Sequence, residues 1–483
     1  MLALLAPVLA YLSSANAQAT TGTSASGSLL AGITGAPGSA ATAMTTMATM
    51  PSGMSAMSSG MSSAMAAAGM SSMTSMSASM ASGMAANMSS SMPKVQAQSM
   101  VSMPLVANMT INSSDSTVGS ANPFTIYNIS ATNISASFIP YGARLTALKV
   151  PDRNGVMQDV VCGYDTGEQY LNDTEHNHSY FGAVVGRYAN RIKNGTFMLN
   201  NQTYHIPANE HHGQDTLHGG TVGYDQRNWT VAAQTPNSIT FSLLDEGFEG
   251  FPGSLMNYVT YTVGNDSTWT IRMVSIPLTE ATPVLMSSHV YWNLDAFTNP
   301  SNATVLNETL WMPYSSRITG INGIEVPNGT LESVLNGPYD FTLPKPIGRD
   351  ILQAVGGCGT NCTGYDQCFL IDRPRYAAPE ATDLTVLTYS SDVTGIKLEI
   401  ETNQQALQIY TCDNLDGTIP VKQSQQHGNG TTTIPQYGCM VIEVEGIIDN
   451  INFPALGNEQ YQIYSTDTEP SVVFAQYHFS VMD

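Results

Sequence analysis

Tyr258-Val259-Thr260-Tyr261-Thr262-Val263, then Gly264-Asn265-Asp266-Ser267, then Trp269-Thr270-Ile271-Arg272-Met273-Val274 reads as strand, turn, strand. Working outward, Ile239-Thr240-Phe241-Ser242-Leu243 alternates with period two. Leu148-Lys149-Val150 and Asp159-Val160-Val161 flank Asn154-Gly155, which predicts a further hairpin closed by a tight Asn-Gly turn. No amphipathic helix longer than three turns is predicted after about Asn122. Short strands with frequent turns predict an all-β, antiparallel sandwich or barrel.

The N-terminal part has a different texture. Residues 2–12 are apolar and Ala15-Asn16-Ala17 follows, which predicts a signal peptide over 1–17 too short to span a bilayer, although no Lys or Arg precedes it. Low-complexity Ser, Ala, Gly, Thr and Met come next, so 18–118 is assigned as a linker and 119–483 as the folded domain. Fourteen methionines between Met44 and Met92 recur at close to helical spacing. A flexible or O-glycosylated stalk is the preferred reading, ahead of a self-associating Met-striped helix or a thioether Cu(I) site.

Sixteen Asn-x-Ser/Thr sequons are present, a heavy load for a chain that stays in the cytosol. With the signal segment they predict a secreted protein. No later apolar stretch reaches membrane length, so no membrane span is expected. A net charge of −21 argues against nucleic acid or anionic membrane as partner. Six cysteines make disulfides plausible: Cys358 and Cys362 bracket a tiny loop near Cys368, and Cys162, Cys412 and Cys439 fall in predicted strands. Spacing does not select among the pairings, and no histidine spacing beside them suggests zinc.

Four motifs carry the chemistry: Gly186-Arg187-Tyr188-Ala189-Asn190-Arg191-Ile192, Thr216-Leu217-His218-Gly219-Gly220, Ser288-His289-Val290-Tyr291-Trp292-Asn293-Leu294 and Ile442-Glu443-Val444-Glu445-Gly446. In order and approximate spacing they resemble the site motifs of the aldose 1-epimerases (galactose mutarotases), from about Phe138 to the C-terminus. The resemblance implies a large galactose mutarotase-like β-sandwich. It implies an isomerase that interconverts the α and β anomers of a hexose such as glucose or galactose, with no cofactor and no metal. Mutarotation needs a base for the C1 hydroxyl proton and an acid for the ring oxygen, and a carboxylate and an imidazolium on opposite sides of that centre suit the task.

By resemblance Glu443 is the base and His289 the acid. His218 is a second histidine that hydrogen-bonds the sugar, and its two glycines let backbone pass close to the ligand. Asn190 and Arg191 match a hydroxyl-binding pair, with Arg191 offering a planar fork to vicinal hydroxyls or to Glu443. Asp366, in Gly364-Tyr365-Asp366-Gln367-Cys368-Phe369, matches an acceptor of sugar hydroxyls, and Gln408 matches a glutamine near the active site. Several positions depart from the family pattern: Ser288, Trp292, Gln367, Glu445 and Ile448 replace the usual Asn, Phe, His, Gln and Pro. Glu445 shares a strand face with Glu443 and is the obvious confounder. Arg187 is left out as a surface or supporting ion pair, Glu249–Gly253 matches for structural reasons, and His211-His212 is taken as a solvated loop.

Three rival readings are weighed. A hexose-6-phosphate 1-epimerase needs a basic phosphate cluster, which 16 Lys and Arg in the whole chain make hard to supply. A glycoside hydrolase built on Glu443 and Asp366 leaves both histidines without a role. A non-catalytic secreted carbohydrate-binding protein is the third. Which aldose is preferred, and the oligomeric state, are not readable from the sequence.

Overall fold

The structure, a computed structural model, describes residues 122–299, 302–457 and 459–482. The predicted signal segment 1–17, all of the linker 18–118 with its methionine spacing, and the sequons at Asn87, Asn108 and Asn112 lie outside the described residues.

The strand–turn–strand reading holds and lengthens. Leu255–Val263 and Thr268–Pro277 pair antiparallel, with Tyr258 opposite Val274 and Val263 opposite Trp269. Between them the Gly264 N–H donates to the Thr268 carbonyl at 2.8 Å, and Ser267 turns the chain at φ 59°. These strands lie within a nine-stranded antiparallel sheet that ends with Ser471–Val481, Ile396–Thr402, Thr385–Ser390, Thr309–Trp311 and Lys345–Pro346. A second, six-stranded antiparallel sheet runs Tyr291–Trp292, Met440–Glu445, Ala406–Tyr410, Asp366–Leu370, Arg317–Ile321, Pro327–Ser333.

The two sheets share one hydrophobic core. Trp269 and Tyr477 of the larger sheet meet Trp292 of the smaller one, with ring centroids 5.9 and 5.6 Å apart. Side chains alternate along a strand, so each strand of the smaller sheet sends half its residues into this core and half away. Met440, Ile442, Val444, Leu407, Ile409 and Phe369 go in. By the same parity Glu443, Glu445, Gln408, Asp366 and Cys368 take the opposite face, where the site is built.

Some expectations need correction. The hairpin near Asn154 forms between Arg144–Pro151 and Met157–Asp159, but its connection is Asp152–Val156 and not a tight Asn-Gly turn. The Asp152 carboxylate accepts the Asn154 and Val156 N–H groups at 2.8 and 2.9 Å, which stabilises the wider loop. Cys358 bonds Cys362 and Cys412 bonds Cys439, while Cys162 and Cys368 are free and buried. Cys162, Cys412 and Cys439 sit beside strands rather than in them. One α-helix occurs among the described residues, Gly167–His176, started by a capping box of Thr166 and Gln169.

Candidate active site

Six of the seven expected residues, Asn190, Arg191, His218, His289, Asp366 and Glu443, line one cavity of about 890 Å³. Register explains the meeting of the carboxylates: Glu443 lies directly opposite Gln408, which on its other side faces Cys368, two residues from Asp366. His289 ends the short strand Ser287–His289, which pairs with Ala183–Val185. His218 follows Asp215–Leu217, paired to Arg191–Lys193, so Asn190 and His218 emerge side by side. Both take positive φ, 56° and 49°. Gly219 is required at this bend, because a Cβ there would lie 2.2 Å from the Gly186 carbonyl oxygen.

His289 Nε2 stands 3.6 Å from Glu443 Oε1, and both residues are buried, 6% and 2% exposed. The two side chains are therefore neighbours in the buried part of the cavity. His218 lies edge-on to His289, centroids 5.2 Å apart. Its Nδ1 accepts the Asn190 N–H at 3.1 Å, so the neutral ring carries its proton on Nε2 and can donate. The Asn190 amide donates to Glu445 Oε1 at 3.3 Å.

Gln408 does not line the cavity. It is buried behind Asp366 and donates to Asp366 Oδ1 at 2.5 Å, which orients that carboxylate. Arg191 also differs from expectation: its fork engages Glu210 at 2.7 and 3.0 Å and Glu325 at 2.5 Å, and not Glu443. Arg187 is fully buried, paired with Asp245 at 2.6 Å, and it donates to the Pro252 and Gly253 carbonyls. That accounts for the Glu249–Gly253 motif. His211 is no solvated loop residue, since Nδ1 lies 3.0 Å from Asp215 Oδ1 and the ring lines the cavity.

Three contributors escaped the sequence reading. Glu210 and Glu325 hold Arg191, and neither has a local motif. Tyr180 packs over His218 and His289 with centroids 4.7 and 5.6 Å away, and it continues onto His178 at 4.1 Å. Tyr180 precedes the Phe181-Gly182 that leads into the Asn190 motif, a signal that alternation alone does not flag.

Burial sets the electrostatics. It pushes the Glu443 carboxyl well above the usual range, reinforced by Glu445 and Asp366. It pushes Glu445 up to about 8 and Asp366 up to about 7, the latter helped by Glu325 and opposed by Arg191 and Gln408. It lowers His289 to about 3 and His218 well below its usual range. The uncharged imidazole is thus favoured at His289, where an imidazolium was expected. Carboxylic acid and neutral imidazole together hold the same single proton as carboxylate and imidazolium, so the pair keeps one acid and one base.

Among the described residues three groups bring metal-capable atoms within 4.8 Å of one another. Cys358, Cys362 and Asp413 are unsuited, because both thiols are consumed in a disulfide. In Glu210, His211 and Asp215 the Arg191 guanidinium already supplies the positive charge. His218, His289 and Glu443 have a donor set that suits a divalent metal, and the same three groups suit proton transfer.

A family described as Aldose 1-epimerase matches residues 125–444. A relative from Arthroderma benhamiae, named "Probable aldose 1-epimerase", is 51% identical over 75% of this chain and 87% of its own length. The galactose mutarotase of Mus musculus is 28% identical over 68% of this chain and 87% of its own. Among solved structures, the GalM/aldose epimerase homologue from C. elegans superposes with a TM-score of 0.64 at 26% identity, covering 74% of this chain and all of that one.

Proposed function

The chain belongs to the aldose 1-epimerase family and is an isomerase that interconverts the α and β anomers of an aldose; from this premise we propose that Glu443 and His289 carry the proton transfers. The observation that carries the assignment is the adjacency of Glu443 Oε1 and His289 Nε2, 3.6 Å apart in the buried part of the cavity. The two reacting oxygens of a cyclic hemiacetal are bonded to the same carbon, so an acid and a base this close together can each reach one of them.

Burial favours the uncharged pair and leaves the shared proton on Glu443. Transfer to His289 Nε2 makes the base and the acid. Glu443 then takes the proton of the C1 hydroxyl while the C1–O bond to the ring oxygen breaks, and His289 protonates that oxygen. Rotation about C1–C2 presents the other face of the aldehyde, the ring oxygen re-attacks, and both protons return. His218 Nε2–H donates to the sugar, and Asn190 and Asp366 bind hydroxyls. Arg191 keeps the acidic groups of the cavity balanced while Glu210 and Glu325 hold it still.

Arg191 is the single Lys or Arg among the residues that line the cavity, and two carboxylates already engage it. That disfavours a phosphorylated aldose. Secretion is the reading we adopt for the chain's location. It is supported by the two disulfides and by the sequons, thirteen of which fall in described residues with none buried. The buried asparagines Asn190, Asn257, Asn293 and Asn450 are all outside sequons. Mass spectrometry of the secreted protein before and after glycosidase treatment tests this, and an unmodified chain retained in the cell would refute it.

Polarimetry on freshly dissolved α-D-glucose and α-D-galactose tests the chemistry. The wild type should exceed the buffer rate for at least one of them, and Glu443→Gln should return it to that rate with the fold intact. A variant as active as wild type would remove Glu443 from the mechanism.

A further inference from the structure

We infer that the Cys358–Cys362 disulfide is a thiol–disulfide exchange site, reduced in the folded protein by an external dithiol, with Asp413 supplying a proton to the departing thiolate. Reduction loosens the loop that steadies Arg191 and Asp366 and so weakens sugar binding; this last step rests on the role given above to Asp366.

Access and loop size separate the two disulfides. Cys412 and Cys439 are both fully buried and stand 27 positions apart in sequence. Cys362 is half-buried, both it and Cys358 border the cavity, and only 4 positions separate them. A crosslink over a long loop removes more freedom from the unfolded chain, so losing the short one destabilises the fold less. Exposed disulfides are also the ones that thiols reach.

A third group equips the disulfide for exchange. A carboxyl oxygen of Asp413 lies within 4.8 Å of both sulfurs. Its Oδ1 accepts the Thr411 hydroxyl at 2.7 Å, while Oδ2 is buried and has no hydrogen-bond partner among the described residues. Burial pushes this acid up to about 8, against the Thr411 hydrogen bond and with help from Asp366 and Glu325, so it carries a proton at neutral pH. A thiolate of the dithiol attacks Cys362 Sγ and forms a mixed disulfide. The Cys358–Cys362 bond breaks, its electron pair leaves on Cys358 Sγ, and Asp413 protonates that sulfur. The reagent's second thiolate then attacks its own sulfur in the mixed disulfide and expels the Cys362 thiolate. Solvent protonates that thiolate and Asp413. One dithiol is oxidised, one protein disulfide is reduced, and two electrons move.

The loop is placed to pass this change to the cavity. The Thr360 N–H and hydroxyl both donate to the Gly323 carbonyl at 2.8 Å, two residues before Glu325. Gly359 lies against Glu325, since a Cβ there would be 3.0 Å from Oε1, and Glu325 in turn holds Arg191. On the other side the Gly357 carbonyl accepts the Asp366 N–H at 3.0 Å and the Gln367 amide at 2.8 Å. The Gly356 N–H donates to the Cys362 carbonyl at 2.7 Å, a bond that does not need the disulfide. Reduction therefore slackens the loop and leaves the protein folded.

The test treats the full-length protein with dithiothreitol without denaturant, traps thiols with iodoacetamide and maps them by mass spectrometry. Polarimetry gives the sugar kinetics before and after. Cys358 and Cys362 should be labelled while Cys412 and Cys439 stay bonded. KM for glucose or galactose should rise about threefold or more, with a smaller change in kcat. Asp413→Asn should slow the reduction about tenfold. Cys358→Ser combined with Cys362→Ser should reproduce the KM of the reduced protein. If the two disulfides are lost together, or neither is lost without denaturant, the exchange site falls. Reduction at an equal rate in Asp413→Asn removes the proton donor, and selective reduction with KM unchanged removes the link to the cavity. If no sugar is anomerised faster than in buffer, the assignment of Glu443 and His289 fails, while the labelling still decides the exchange site.

Discussion

The strand Met440–Glu445 is buried along its whole length, yet its two faces have opposite characters. Met440, Ile442 and Val444 enter the apolar core, where each full burial contributes about 1.5–3 kcal/mol. Glu443 and Glu445, one residue out of phase, are buried to the same degree on the other face, where burial works against them. Glu443 Oε2 and Glu445 Oε2 have no hydrogen-bond partner among the described residues. One face makes the fold stable, and the other spends part of that stability on a carboxyl of shifted pKa.

The sharpest way to break the comparison is to change each face separately. Glu443→Gln should lower kcat by about 10³-fold or more with the melting temperature unchanged or raised, because a neutral amide replaces a buried acid. His289→Asn should be severely impaired in the same assay. Ile442→Ala should do the reverse, costing about 2–5 kcal/mol in denaturant unfolding while the remaining folded enzyme keeps its turnover. If Ile442→Ala abolished activity at full folding, the two faces would not be separable.

A smaller effect is expected at Arg191. Arg191→Lys cannot span Glu210 and Glu325 at once, so KM should rise about tenfold with a lesser change in kcat, read from initial rates. Unchanged kinetics would reduce Arg191 to a structural ion pair.

The pH dependence of stability follows from the acids. Burial raises Asp215, Asp366 and Asp449 to about 7 and Glu445 and Asp413 to about 8. Acids raised above their unfolded values contribute stability that is full below about pH 4 and lost as pH rises through the folded values. His218 and His289 are lowered, so their effect is opposite in sign, but it ends once the unfolded histidines are neutral above about pH 6.5. From about pH 6.5 to 8 only the carboxyls act, and calorimetry should record a falling melting temperature. A flat profile would mean these groups ionise normally.

The smallest change is expected for Glu445→Gln. The amide oxygen can still accept from Asn190, so the rate should stay within about threefold of wild type. With less negative charge beside it, Glu443 should titrate lower, moving the pH–rate profile toward acid.

The sheets, and the placing of Glu443 and His289 in one cavity, were legible in the sequence because both rest on local signals. Alternation at Tyr258–Val274 marks strands, and Glu443 and His289 sit inside short motifs shared with a family. What escaped depends on distant parts of the chain. Arg191 reads as a free fork until Glu325, 134 positions away, closes on it. Gln408 reads as a sugar ligand until strand register sets it behind Asp366. The pairing of Cys412 with Cys439 requires the two Cα atoms 5.5 Å apart, which only the folded loops provide. The hairpin turn was misjudged because the Asp152 carboxylate, and not the Asn-Gly dipeptide, organises it.

The pairing of Glu443 with Gln408 also limits which length changes the gene can tolerate. Codons added at the exposed Gln426-His427-Gly428, within the segment between Cys412 and Cys439, would enlarge a surface loop and leave both flanking strands in phase. A single codon lost between Met440 and Glu443 would instead rotate every later side chain of that strand, sending acid groups into the tryptophan-lined interior and isoleucine toward the sugar. Diversity among descendants of this chain should therefore accumulate as loops of variable size around a strand of invariant length.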